Sequence, residues 1–169
     1  MYILGINPAD NYQQLAESPI PFAPGTRGKD NQGREYVFQT IVSAVVAGEL
    51  YMLALGQAVG PTILPTGAAI YNRQVGGACS SFAAFAAGTG FWCQVLGNSF
   101  AGVKTAAAAA ISVPLYTTAT SGATDDVATS SNLIRGLTLT TAAGGAVAAA
   151  VALFNYPLIG TVADTDNNT

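Results

Sequence analysis

The chain has no histidine, and only 9% of its 169 residues are charged. Without imidazole there is no Ser-His-Asp or Cys-His catalysis, no histidine metal site and no imidazole pH switch. Its two cysteines, Cys79 and Cys93, are too few and too far apart for a four-ligand zinc site. They read as buried free thiols, which behave as small apolar side chains. The spacing leaves a disulfide between them open. The acids are equally unhelpful to chemistry. Asp125 and Asp126 are sequence neighbours whose side chains diverge, so they form no acid/base pair. Asp164 and Asp166 lack the glycine and the distal glutamate of a calcium loop. No phosphate-cradling G-x-x-x-x-G-K-[ST] occurs among the glycines. The expectation is a protein that is not an enzyme and takes no cofactor, metal or small-molecule substrate.

Bases are scarce too. Six lysines and arginines against nine acids leave a net charge of −3. The bases form no cluster able to track a phosphate backbone, so nucleic acid is not expected as a direct ligand. Mean hydropathy is +0.39, which raises the question of a membrane. Residues 74–103 and 136–163 carry no charge. Both runs are interrupted by polar residues or glycine, and the second contains Pro157. The most helix-like apolar piece, residues 146–154, falls far short of the ~20 residues a spanning helix needs. No basic region precedes an apolar core at the N-terminus, so no standard secretory signal is expected. The expected protein is soluble, with no membrane partner.

What the chain does have is apolar and small: half its residues are hydrophobic and nineteen are glycine. One domain of this length buries roughly 68–70% of its unfolded surface. A monomer needs charge to stay dispersed. A chain so poor in charge is better explained by covering its surface with copies of itself or a partner.

The segment that organises the rest is Gly90-Phe91-Trp92-Cys93-Gln94-Val95-Leu96-Gly97, which holds the only tryptophan. Its residues are mostly aromatic or β-branched, types suited to a pleated surface. At period two, Phe91, Cys93 and Val95 face one way, and Trp92, Gln94 and Leu96 the other. Phe91, Trp92, Val95 and Leu96 make both faces apolar, so the pattern predicts a central strand covered on both sides. Further strands are predicted at 35–42, 49–55 and 69–75, the last ended by Gly76-Gly77. More follow at 100–105, 114–119 and 133–141, then a final strand over 146–156 that Pro157 ends. Residues 56–67 read as a loop or an irregular edge. Phe82 and Phe85 suggest one helical turn capped by Gly88. Short strands with glycine-rich turns and no long crossover helix point to an all-β fold, a single small β-barrel or jelly-roll-like sandwich over residues 34–160. Residues 161–169 read as a polar tail.

Residues 1–33 differ in character. Four of the eight prolines lie within the first 24 residues, and each proline pushes its predecessor to extended geometry. Tyr2, Ile3, Leu4, Tyr12, Ile20 and Phe22 are more apolar than a solvated tail carries. An extended arm is expected, docking these side chains on a partner. Arg27 and Lys29 open a charged run through Glu35 that reads as a solvated turn or as a polar contact to that partner.

The run Val45-Val46-Ala47-Gly48-Glu49-Leu50-Tyr51, then Arg73-Gln74-Val75-Gly76-Gly77-Ala78, then residues 90–97 resembles tailed-bacteriophage head decoration, or capsid cement, proteins. Pro114-Leu115-Tyr116-Thr117-Thr118-Ala119, Thr124-Asp125-Asp126 and Asn155-Tyr156-Pro157-Leu158-Ile159-Gly160 extend the likeness across residues 34–160. The resemblance implies a structural virion protein on the outer surface of an icosahedral head, assembled in the host cytoplasm. It implies a homotrimer that bridges major capsid protein subunits. Two other classes stay open: a receptor- or glycan-binding knob, for which Tyr116 with Asp125 is the candidate pair, and a surface-layer or membrane-associated subunit.

Overall fold

A computed structural model describes residues 2–13, 15, 18–55, 62–63, 73–127, 132–145 and 149–160. Expectations for residues 56–61 and 69–72 and for the tail at 161–169, Asp164 and Asp166 included, lie outside them. The described chain is all-β. Its strands are β1 (Tyr2–Leu4), β2 (Asn11–Gln13), β3 (Arg27–Lys29), β4 (Glu35–Ile41), β5 (Leu50–Met52), β6 (Thr62–Ile63) and β7 (Val75–Ala78). There follow β8 (Thr89–Asn98), β9 (Val103–Lys104), β10 (Leu115–Thr117), β11 (Thr124–Asp125), β12 (Leu133–Leu139), β13 (Ala149–Ala150) and β14 (Ala152–Ile159).

The long strand β8 holds the main sheet together. All of β4 pairs antiparallel along one of its edges, from Ile41 opposite Thr89 to Glu35 opposite Leu96. The other edge is shared in succession by three strands. Tyr12 of β2 lies opposite Gly90, Ala78 of β7 opposite Cys93, and Phe154 of β14 opposite Gly97. The sheet then continues from β14 through β12 and β10 to β11, and on the far side from β4 through β3 to β1. The β1–β3 pair is parallel, which makes the sheet mixed. Strands β9 and β13 form a separate pair.

Both faces of β8 are buried, as the alternation in its sequence requires. Phe91, Cys93 and Val95 join Val37, Tyr51, Leu53 and Ala78 in one cluster. Trp92 joins Tyr36, Phe38 and Cys79 on the opposite face. Gln94 also lies on that face, and its side chain replaces a turn partner: the amide donates to the Leu96, Gly97 and Asn98 carbonyls, and its oxygen accepts the Phe100 N–H. A third cluster brings Leu50, Met52 and Val75 of β5 and β7 against Ile134, Leu137, Leu139, Phe154 and Ile159 of β12 and β14. Both cysteines are free and buried.

Three local expectations need correction. Gly76 and Gly77 lie inside β7 rather than ending a strand. A Cβ on Gly77 would sit 2.9 Å from the Phe154 ring, and one on Gly76 2.9 Å from the Cys93 Cβ. Here glycine marks close approach of neighbours and not a break. Pro157 likewise lies within β14. The β12–β14 register slips between Arg135 and Leu137, with Gly136 and Tyr156 both at positive φ (75° and 49°). A bulge leaves residues out of the ladder, so a proline without an N–H is tolerated there. Residues 80–88 make no helical turn. Phe82 instead bridges to Val45 and meets Phe91 edge-on, with centroids 5.4 Å apart.

Candidate functional site

The N-terminal segment docks, but on its own sheet. Backbone pairing fixes its path, through β1 beside β3 and β2 beside β8. Between and beyond those strands Ile6, Tyr12, Ile20 and Phe22 pack on the Trp92 face. Phe22 is at the centre of this cluster, with ring centroids 5.2 Å from Phe38, 5.4 Å from Trp92 and 5.6 Å from Tyr12. Gly90 makes room for it, since a Cβ there would collide with the Phe38 ring and approach Ile20 Cγ2 to 3.0 Å. Tyr12, Ile20 and Phe22 are therefore engaged within the chain, and an arm lying along a partner would have to leave this cluster. The reason lies in tertiary structure: β4 and β8, with Cys79 beside them, present an aromatic face that this segment covers. Ile3 is half-buried and Leu4 is 77% exposed at the outer strand of the sheet. Tyr2 pairs through its backbone with Arg27, and its side chain lies outside the described residues.

The charged run turns at the exposed Asn31 and Gln32, with the Gly33 N–H donating to the Asp30 carbonyl, and its charges make contacts within the fold. Asp30 is buried and accepts from the Gln32 and Arg34 N–H groups, from Arg34 Nε at 2.6 Å and from the Tyr36 hydroxyl at 2.9 Å. Burial alone would raise the Asp30 pKa; these hydrogen bonds outweigh it, and the carboxyl is held below its ordinary value. Burial, with the Asp30 carboxylate beside it, pushes the Tyr36 hydroxyl up. Lys29 pairs with Glu35 at 2.8 Å, and Glu35 also accepts from the Tyr156 hydroxyl at 2.6 Å. Arg27 reaches Gln74 Oε1 at 3.5 Å and lies 6.0 Å from the Tyr156 ring. Lys104 pairs with Glu49 at 2.9 Å.

The thiols offer no nucleophile. Burial pushes Cys79 up to about 12 and raises Cys93 as well, so neither is a thiolate near neutral pH. Asp125 and Asp126 diverge as expected: Asp126 accepts the Ala110 N–H, while Asp125 stands across from Tyr116 in the β10–β11 register. Among the described residues no group of three or more His, Cys, Asp or Glu could hold a metal ion. No helix among them is long and apolar enough to cross a membrane.

Apolar surface open to a ligand or partner includes two features of the described residues. One is a groove of about 550 Å³ between the N-terminal segment and the end of β4, lined by Pro19, Ile20, Phe22, Pro24, Ile41 and Val42 among others. The other is the outward face of β14. Leu153, Tyr156 and Leu158 are 45%, 37% and 43% exposed there, while Ala152, Phe154 and Ile159 of the same strand are buried. Sequence reasoning missed this face. Its signal was the large apolar residue at both parities of residues 152–159, the pattern that in β8 accompanies burial on both sides.

The fold thus defines an all-β chain with a mixed sheet. No protein-family model matches the chain, and no curated protein or solved structure is significantly similar to it.

Proposed function

We propose that the chain is a capsid decoration protein, a structural virion protein that binds the outside of an icosahedral phage head and ties major capsid protein subunits together, as a homotrimer. The observation that carries this reading is the surface. Among the described residues twelve large apolar side chains are exposed, from Leu4 to Leu158, in a protein with six basic and nine acidic residues. Such a surface suits a molecule that lives among neighbours. The likeness to cement proteins adds weight, because its separated phrases meet in one sheet: residues 73–78, 90–97 and 155–160 supply most of β7, β8 and β14, which are mutual neighbours. In its finer architecture we read the domain as a sandwich, with β5 and β7 folded over β12 and β14 around the largest apolar cluster.

The test is add-back of the purified full chain to heads that lack it, imaged by cryo-electron microscopy. Ordered density at threefold or quasi-threefold positions is the expected result, and bare heads would overturn the reading. A second reading, a glycan-binding knob, draws on Tyr116 standing directly across from Asp125. Binding on a glycan array that Tyr116→Ala abolishes would favour it over the first.

A further inference from the structure

Strand β14 turns two different sides to its surroundings: Ala152, Phe154 and Ile159 are buried with Val75 and Leu137, while Leu153, Tyr156 and Leu158 are exposed. The exposed side is that of Glu35 and Arg27, which alternate with the Tyr36 and Gly28 of the Trp92 face. Leu153 stands between Asn98 of β8 and Thr138 of β12, and Leu158 lies opposite Arg135. The N-terminal segment closes the Trp92 side of the sheet, and the other side presents Leu153, Tyr156 and Leu158 to solvent, where none of the described residues covers them.

Charge around the open side has the opposite sign to that of the chain. Of the six bases, Arg34 pairs with the buried Asp30 and Lys104 with Glu49. The other four gather at the end of β14. Arg27 lies over the Tyr156 ring, Lys29 pairs with the glutamate that Tyr156 contacts, the Arg73 carbonyl accepts the Ile159 N–H, and Arg135 is the cross-strand neighbour of Leu158. These residues make contacts within the fold; what distinguishes the place is that, among the described residues, these four bases meet at one strand end beside Glu35, in a chain whose net charge is −3.

We propose that the β14 face docks an acidic protein segment with apolar side chains, which seat on Leu153, Tyr156 and Leu158 while its carboxylates meet the basic rim. An apolar centre supplies the desolvation and rim charges supply steering and register. Tyrosine and arginine are the residue types enriched where such contacts carry binding energy. That the segment belongs to a head shell rests on the function proposed above; its chemistry does not.

A dye-labelled random copolymer of glutamate and tyrosine serves as the probe, with anisotropy titrations of the full chain. The wild-type chain binds it, and binding weakens when salt is raised to about 0.5 M. Arg135→Glu and Leu158→Asp each weaken it about ten-fold, while Val46→Glu, exposed beside the Val45–Phe82 bridge, leaves it unchanged. Native Trp92 emission confirms that each variant is folded. Equal affinity across the folded variants, or no binding by the wild type, overturns the proposal. So does a Leu158→Asp chain that turns from oligomer to monomer without any polymer affinity in the wild type, since the occupant is then a second copy. Head add-back separates the two readings. A chain that binds the polymer through this face yet never binds heads keeps the face and loses the cement function. Head binding indifferent to Arg135→Glu and Leu158→Asp keeps the function and loses the face.

Discussion

Replacing Phe22 with alanine asks whether the N-terminal segment belongs to the domain's own core. The Phe22 ring lies within 5.2–5.6 Å of three other aromatic rings and is half-buried. Truncating a fully buried phenylalanine costs about 3–5 kcal/mol. Half-burial scales this to roughly 2 kcal/mol, because about half the apolar area is already in water. For a domain of this size that corresponds to a melting temperature lower by about 4–8 °C. Urea denaturation followed by tryptophan emission is the assay, and it reports locally, since Trp92 is the only tryptophan and touches Phe22. The variant is expected to lose that ~2 kcal/mol and to shift native emission to the red as water reaches the indole. Leu4→Ala, 77% exposed on the same segment, should stay within about 0.5 kcal/mol of wild type. A Phe22→Ala loss below about 0.5 kcal/mol with unchanged emission would refute the docked segment. It would return residues 1–24 to the role of an arm that reaches a partner.

Gly77→Ala drives a methyl to 2.9 Å from the Phe154 ring and is expected to cost about 1–3 kcal/mol by overpacking, read from the urea midpoint; a neutral result would mean β7 and β14 are not in contact there. Asp30 has a folded pKa below its unfolded value, so its stabilisation is complete above the unfolded pKa of about 3.9 and is lost as pH falls through the folded one. Urea midpoints measured from about pH 5 down to pH 2 should therefore fall less steeply for Asp30→Asn than for wild type; parallel curves would contradict the assignment. Cys79 and Cys93 should resist a thiol reagent at pH 8 in the folded protein and both react in denaturant, because their pKa values are raised and both are buried; rapid labelling of the native chain would show that the sheet opens.

Much of this architecture is written in local pattern. Alternation through residues 90–97 assigns Phe91, Cys93 and Val95 to one face and Trp92 to the other, and the clusters divide the same way. The absence of long helical periodicity implies an all-β chain, and the lone thiols read as buried apolar residues. Period-two pattern suffices there because a strand's side chains must alternate whatever the strand packs against. Only the tertiary structure decided the rest. Gly76, Gly77 and Pro157 look like breaks by local rule, yet a phenylalanine ring and a bulge supplied from distant sequence hold them inside strands. The apolar residues near the N-terminus announce that they will be buried, but which surface buries them depends on β4 and β8 meeting to build an aromatic face. Leu153 and Leu158 carry the same apolar signal as Phe154 and Ile159, and their exposure follows from facing away from the cluster that β5, β7 and β12 build. Sequence determines which side chains share a face; the distance between faces, and what lies over them, is set by the fold.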